Sequence, residues 1–187
     1  MSNPVQIELV SHSPEQTRAL GRALAGRLAG GSVVALTGHL GAGKTQWVKG
    51  LAAGLGIDPD SVHSPTFTLI NEYAEEMSND ECRMSNEMPN AKCRMPDEGR
   101  SRGLRLYHVD AYRLTGAAEL DAIGFAEMVA AGDGIVAVEW ADRVAECIPP
   151  DAVWIAGTMP ANLGPQDRRY VICANDSGVL ESLCREL

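Results

Sequence analysis

Gly38-His39-Leu40-Gly41-Ala42-Gly43-Lys44-Thr45 satisfies the pattern G-x-x-x-x-G-K-[ST], and its flanks decide how it is read. The apolar run Val33-Val34-Ala35-Leu36 before it reads as a buried strand. The segment from Lys44 to Leu55 after it reads as a helix, with Trp47, Leu51 and Leu55 stacked on one face at i, i+4 and i+8. Strand, glycine loop and helix in that order make a phosphate cradle. The glycines let backbone N–H groups turn toward an anion, and the helix N-terminus adds partial positive charge. In such a cradle Lys44 reaches the β- and γ-phosphates of a nucleotide and the Thr45 hydroxyl ligates Mg²⁺. The chain has only three lysines, and one stands at the required position. A glycine turn that merely joins strand to helix is the plain alternative, and the intact flanks argue against it.

A length of 187 residues suggests one domain, spanning 1–187, with enough chain for a real core. Hydrophobic content of 45% and charged content of 22% are ordinary for a soluble globular protein. No apolar run approaches a membrane span, and Met1-Ser2-Asn3-Pro4 lacks the basic and apolar regions of a secretory signal, so the cytoplasm is the expected compartment. Five cysteines without a C-x-x-C argue against a disulfide framework or a structural zinc site. A net charge of −9 makes direct grip on nucleic acid a poor prospect, because Lys and Arg neutralising phosphates supply most of that affinity. A link to nucleic acid would run through a partner.

Outward from the cradle, Ile7 to Val10 reads as a first strand. Ser13-Pro14-Glu15-Gln16 reads as a capping box, opening a helix whose buried face carries Leu20, Leu24 and Leu28 and which Gly30-Gly31 would end. Phe67 to Tyr73 and Leu104 to Asp110 read as strands, and Ala117 to Ala131 as largely helical. Ile135 to Val138 reads as a strand buried on both faces. Val153 to Ala156 and Arg169 to Cys173 read as a late antiparallel pair, followed by a short helix from about Val179. Strands alternating with helices around a phosphate loop predict an α/β fold of the P-loop NTPase type, with a central mixed, mostly parallel sheet flanked by helices. Met77 to Gly103 stands apart: five acidic residues against five basic, four of the seven methionines and Cys-Arg-Met twice, starting at Cys82 and Cys93. It reads as a flexible low-complexity insertion between two strands.

Hydrolysis of a bound nucleotide needs a carboxylate near Mg²⁺ and a group that orients water. Asp110 and Glu139 each end a strand-like run, and acids at the C-terminal ends of strands in an open α/β sheet face the ligand crevice. A solvated acid at a strand end is the bland reading of each. Val62-His63-Ser64-Pro65-Thr66-Phe67-Thr68 lies just past the loop's helix, where nucleotide switches place a segment that senses the γ-phosphate. Hydroxyls of Ser64, Thr66 and Thr68 are candidates for metal or phosphate contact, and a polar turn held by Pro65 would look alike.

Four blocks in order, GHLGAGKT, HSPTFTLINEY, LYHVDAYRL and VAVEWADR, together resemble the TsaE family (also called YjeE), small bacterial ATPases of tRNA threonylcarbamoyladenosine biosynthesis. The resemblance covers the chain from Ile7 to about Ile155 except for the insertion, where most members have a short turn. It implies a single α/β domain that binds ATP and Mg²⁺. Block matching implies nucleotide contacts from Gly38, Leu40, Gly41, Ala42, Gly43, Lys44, Thr45, Gln46 and Thr66. It implies a metal site of Thr45, Asp110 and Glu139, and a catalytic set of Glu139, Asp110 and Lys44. Trp140, beside Glu139, would report nucleotide binding or join an interface. The resemblance also implies weak ATP hydrolysis that partners stimulate, those partners being TsaD and TsaB, with tRNA met only through the complex and hydrolysis resetting it between turnovers. Two other readings stay open. One is a small P-loop kinase, with Arg83, Arg94, Arg100, Arg102 and Arg105 in or beside a lid. The other is a nucleotide-gated binding module without useful catalysis. His39 is read as filling a permissive position of the loop.

Overall fold

Alternation of side chains along the strands sorts the chain into three layers. The structure is a computed structural model and describes residues 5–75 and 103–185. The expected insertion at 77–103 lies outside the described residues apart from Gly103, as do Cys82, Cys93, Arg83, Arg94, Arg100 and Arg102. The elements in order are β1 (Val5–Ser11), α1 (Pro14–Ala25), β2 (Val33–Thr37), α2 (Lys44–Gly54), β3 (Ile70–Tyr73), β4 (Arg105–Asp110), α3 (Ala117–Ala122), α4 (Phe125–Ala131), β5 (Gly134–Glu139), β6 (Val153–Thr158), β7 (Arg168–Ala174) and α5 (Ser177–Cys184).

The strands form one seven-stranded mixed sheet in the order β1-β7-β6-β2-β5-β4-β3. The centre β6-β2-β5-β4 is parallel, while β7 and β3 run against their neighbours. Because β1 is antiparallel to β7, it shares the direction of the parallel centre, so five of the seven strands point one way. The expected mixed, mostly parallel sheet is therefore present, and the late antiparallel pair is β6 with β7.

Val34 and Leu36 of β2, Leu106 of β4 and Ile135 and Ala137 of β5 belong to the core shared with α1 and α2, which α5 closes over β1 and β7. Val33, Ala35, Val109, Val136 and Val138 face the other layer, where Leu120, Phe125 and Val144 cover them. Every residue of β5 is buried, as its unbroken apolar run requires. Trp47 and Leu51 of α2, with Leu55 just past its end, are sealed from solvent, each contributing on the order of 1.5–3 kcal/mol of burial. Such anchoring matters for the site because α2 begins at Lys44.

The cap of α1 forms as the sequence predicts on one arm: the Gln16 N–H donates to Ser13 Oγ at 3.1 Å. The returning arm reaches one residue further back, with the His12 N–H donating to Gln16 Oε1 at 2.7 Å. Three local outcomes differ from the sequence reading. Helix α1 stops at Ala25, because Arg27 and Leu28 bond i−3 carbonyls and tighten the last turn; Gly30 and Gly31 lie in the following loop. The helical stretch 117–131 breaks in two at Gly124, whose φ of 80° ends one helix and starts the next. Phe67 to Leu69 are not strand, since Thr68 and Leu69 donate to the Pro65 carbonyl and close a turn.

Candidate active site at the C-terminal ends of the central strands

Parallel strands β2, β5 and β4 are neighbours, so their C-terminal ends deliver the glycine loop, Glu139 and Asp110 to one edge of the sheet. A cleft of about 520 Å³ opens there. It is lined by Leu40, Gly41, Gly43, Lys44, Thr45 and Gln46 of the loop and α2, by Ser64 and Thr66, and by Asp110, Glu139 and Trp140.

Lys44 is almost wholly buried. Its Nζ donates to the carbonyls of Gly38 at 2.7 Å and His39 at 3.1 Å, and lies 3.7 Å from the centre of the Trp140 ring. Burial lowers the pKa of this ammonium below its ordinary value, while Glu139, Asp110 and Asp142 pull it back up. Trp140 reaches this position from a left-handed backbone with φ 60°, a conformation that costs on the order of 1–3 kcal/mol for a residue with a Cβ. The ring also packs on Tyr112, 5.0 Å between centroids.

Thr45 Oγ1 donates to Glu139 Oε1 at 2.8 Å, so the first turn of α2 and the end of β5 are tied across the sheet. Asp110 anchors the polar loop in the same way. Its Oδ2 accepts from Thr66 at 2.7 Å and from Ser64 at 3.2 Å, and its Oδ1 accepts the Tyr112 N–H at 2.9 Å. Its own N–H donates to the carbonyl of Leu69, another residue with positive φ. The loop that carries Thr66 is thereby fastened to the acid at the end of β4.

The remaining sequence-predicted residues fall around this centre unequally. Leu40 stands exposed on the rim, whereas Ala42 is buried beneath the loop and does not line the cleft. Gly41 offers its carbonyl to Arg168 Nε at 2.7 Å, and Gln46 Oε1 accepts from Arg18 Nε at 2.7 Å. Thr68 turns away: its hydroxyl donates to Asn71 Oδ1, so it is not part of the polar cluster on Asp110. Arg105, at the start of β4, pairs with Glu72 and Asp133, about 16 Å of strand away from Asp110. It contributes nothing to a lid over the cleft.

Several cleft residues escaped the sequence reading. Pro14 and Thr17 of α1 and Gln166, Arg168 and Tyr170 near β7 form one wall. Nothing local in those stretches marks them, since they arrive only through the pairing of β7 with β6 and the seating of α1 on α2. His108, fully buried with Nε2 2.9 Å from Glu139 Oε1, was legible in principle: strand alternation places it on the same face as Asp110.

Mg²⁺ takes oxygen ligands, with one or two protein groups supplemented by phosphate and water. Thr45, Asp110 and Glu139 supply a hydroxyl and two carboxylates at one edge, which fits that requirement. Among the described residues no group of three or more His, Cys, Asp and Glu side chains is placed to cage a metal outright. No described helix is long and apolar enough to cross a membrane.

Residues 11–166 match the family model of threonylcarbamoyl adenosine biosynthesis protein TsaE. The chain is 39% identical over 147 residues to the tRNA threonylcarbamoyladenosine biosynthesis protein TsaE of Treponema pallidum, covering 79% of this chain and 87% of that one. It is 32% identical over 182 residues to the protein of the same name from Bacillus subtilis, covering 97% and 94%. The crystal structure of Bacillus subtilis YdiB superposes with a TM-score of 0.65 at 28% identity, over 99% of this chain and 98% of that chain. With its glycine loop, its two strand-end acids and this match along most of its length, the chain belongs to the TsaE family.

Proposed function

We propose that the protein binds and hydrolyses ATP with Mg²⁺ as an accessory subunit for threonylcarbamoyl modification of tRNA adenosine beside the anticodon, working with TsaD and TsaB in the cytoplasm. The observation that carries the reading is the convergence of Lys44, Thr45, Thr66, Asp110 and Glu139 on one cleft from four separate parts of the chain. We read the whole chain as one ATPase domain, with 77–103 as an insertion within it.

Within this reading the backbone N–H groups of Gly41 to Thr45 and the start of α2 receive the phosphates. Lys44 leaves the Gly38 and His39 carbonyls and turns to the β- and γ-phosphate oxygens. When bound, Mg²⁺ would neutralise phosphate charge, with Thr45, Asp110 and Glu139 available to hold it directly or through water. Thr66, which donates to Asp110, serves in this reading to sense whether the γ-phosphate is present. Glu139 is the acid for orienting the attacking water, and the Trp140 ring covers the lysine beside it. No second-substrate acceptor is needed for this chemistry, and the acidic chain favours meeting tRNA through partners.

The test is ATP hydrolysis by the purified protein alone and with its TsaD and TsaB counterparts, with Lys44→Ala as control. Slow turnover that rises with the partners and disappears in K44A is the expected result. A rate unaffected by the partners, or undiminished in K44A, would refute the proposal. Phosphoryl transfer to a small acceptor, detected by mass, would replace it with a kinase.

A further inference from the structure

His108 lies two residues before Asp110 on β4 and is sealed from solvent. Strand alternation turns Leu106, His108 and Asp110 toward the α2 layer. Across the parallel pairing His108 stands opposite Ala137, whose methyl leaves room for the imidazole to run along the strand. Glu139 is two residues further on and on the same face. The ring therefore ends with Nε2 2.9 Å from Glu139 Oε1, the same oxygen that accepts the Thr45 hydroxyl at 2.8 Å.

The other ring nitrogen, Nδ1, is buried without a hydrogen-bond partner. A carboxylate oxygen only accepts, so Nε2 carries the proton that bridges to Glu139. A buried polar atom left unpaired weakens a fold, and an apolar side chain of similar volume would avoid that loss. What the histidine adds lies in its one bond. Both described bonds to Glu139 fall on Oε1, which leaves Oε2 for the cleft that Glu139 lines.

We infer that His108 is a positioning residue for Glu139: together with Thr45 it clamps Oε1, so that the carboxylate meets the γ-phosphate end of the cleft in a single orientation. It is sealed from solvent and does not line the cleft. The inference rests on the reading of Glu139 as the acid that serves ATP turnover. Outer partners that orient a functional group typically control rate rather than ligand affinity when the ligand itself is held elsewhere, here by the glycine loop.

The experiment compares the full-length wild type with His108→Leu, which deletes the donor, and His108→Gln, whose amide nitrogen falls near the Nε2 position. Turnover of Mg-ATP, affinity for a fluorescent ATP analogue and thermal unfolding are measured on each. The ring nitrogens of His108 are followed by long-range proton–nitrogen NMR, with Glu139→Ala as reference. H108L is expected to lower kcat on the order of 10–100-fold with analogue affinity changed by no more than about twofold, and H108Q to recover most of that loss. The NMR pattern is expected to show a protonated Nε2 and a bare Nδ1, shifted in E139A. Undiminished kcat in H108L, no recovery in H108Q, or a loss confined to nucleotide affinity would overturn the inference. A wild type without any turnover overturns the ATPase reading instead. The ring spectrum then decides alone: a protonated Nε2 that responds to E139A upholds the clamp, and a proton on Nδ1 removes it.

Discussion

Gly43 tests whether the loop is shaped by its own sequence or by a strand that joins it from far along the chain. Its φ is 90°, and a Cβ built on it would lie 2.3 Å from Tyr170 Oη, 3.5 Å from Cζ of the same ring and 3.9 Å from Arg168 Cγ. Two costs follow for Gly43→Ala. The left-handed backbone costs about 1–2 kcal/mol for any residue with a Cβ. The collision with the phenol oxygen adds about 1–3 kcal/mol, because Tyr170 is fully buried and cannot swing aside freely. The single variant should thus lose about 2–5 kcal/mol. Tyr170→Phe alone removes a 3.3 Å bond to Thr17 Oγ1, which keeps its partners Ser11 and Ser13, so it should cost about 1 kcal/mol. In G43A/Y170F the nearest ring atom is at 3.5 Å, ordinary contact, so only the backbone strain and the lost bond remain, about 2–3 kcal/mol. The double variant should therefore be about 1–3 kcal/mol more stable than the sum of the singles predicts. Urea unfolding at 25 °C followed by far-UV circular dichroism, with m-values checked for constancy, measures the cycle. Additivity within about 0.5 kcal/mol would refute the collision and leave backbone strain as the whole effect.

Lys44→Ala should leave the folded circular-dichroism signal intact while weakening triphosphate binding, since the side chain reaches into the cleft and anchors no core residue. Burial lowers the Lys44 pKa in the folded protein, so below that pKa both folded and unfolded chains carry the proton and the full burden of the buried ammonium is present. As pH rises from there toward the ordinary 10.5, the unfolded chain binds the proton more tightly than the folded one, and wild type should gain stability relative to K44A; a wild type that holds level or loses stability relative to K44A as pH rises, read from urea midpoints, would contradict this. Replacing 77–103 with a short Gly-Ser linker should leave ATP turnover within about three-fold, because Tyr73 and Leu106 already face each other across β3 and β4 at the end of the pair remote from Asp110. A loss of an order of magnitude in that linker variant would place the segment in the site or an interface.

The glycine loop, its flanking strand and helix, the cap at Ser13 and the fully buried β5 were legible because each is set by residues within about a dozen positions of one another. The acids Asp110 and Glu139 were legible for a similar reason: they end apolar runs, and the ends of parallel strands share one edge. Local reasoning failed where two local signals competed. Phe67 to Leu69 carry strand-like residues, yet the Pro65 carbonyl and the pull of Ser64 and Thr66 onto Asp110 made them a turn, which swung Thr68 out toward Asn71.

Which residues share the cleft was settled by strand order. Placing β5 between β2 and β4 brought Glu139 within reach of both Thr45 and His108. Folding β7 back beside β6 carried Tyr170 up against Gly43 and Arg168 onto the Gly41 carbonyl, across more than a hundred residues. The strand, glycine loop and helix start are thus written in a short stretch of sequence, because backbone direction and helix polarity act locally. The clamp on Glu139 and the wall behind Gly43 depend on distant segments packed edge to edge in one sheet, and only the tertiary structure brings those together.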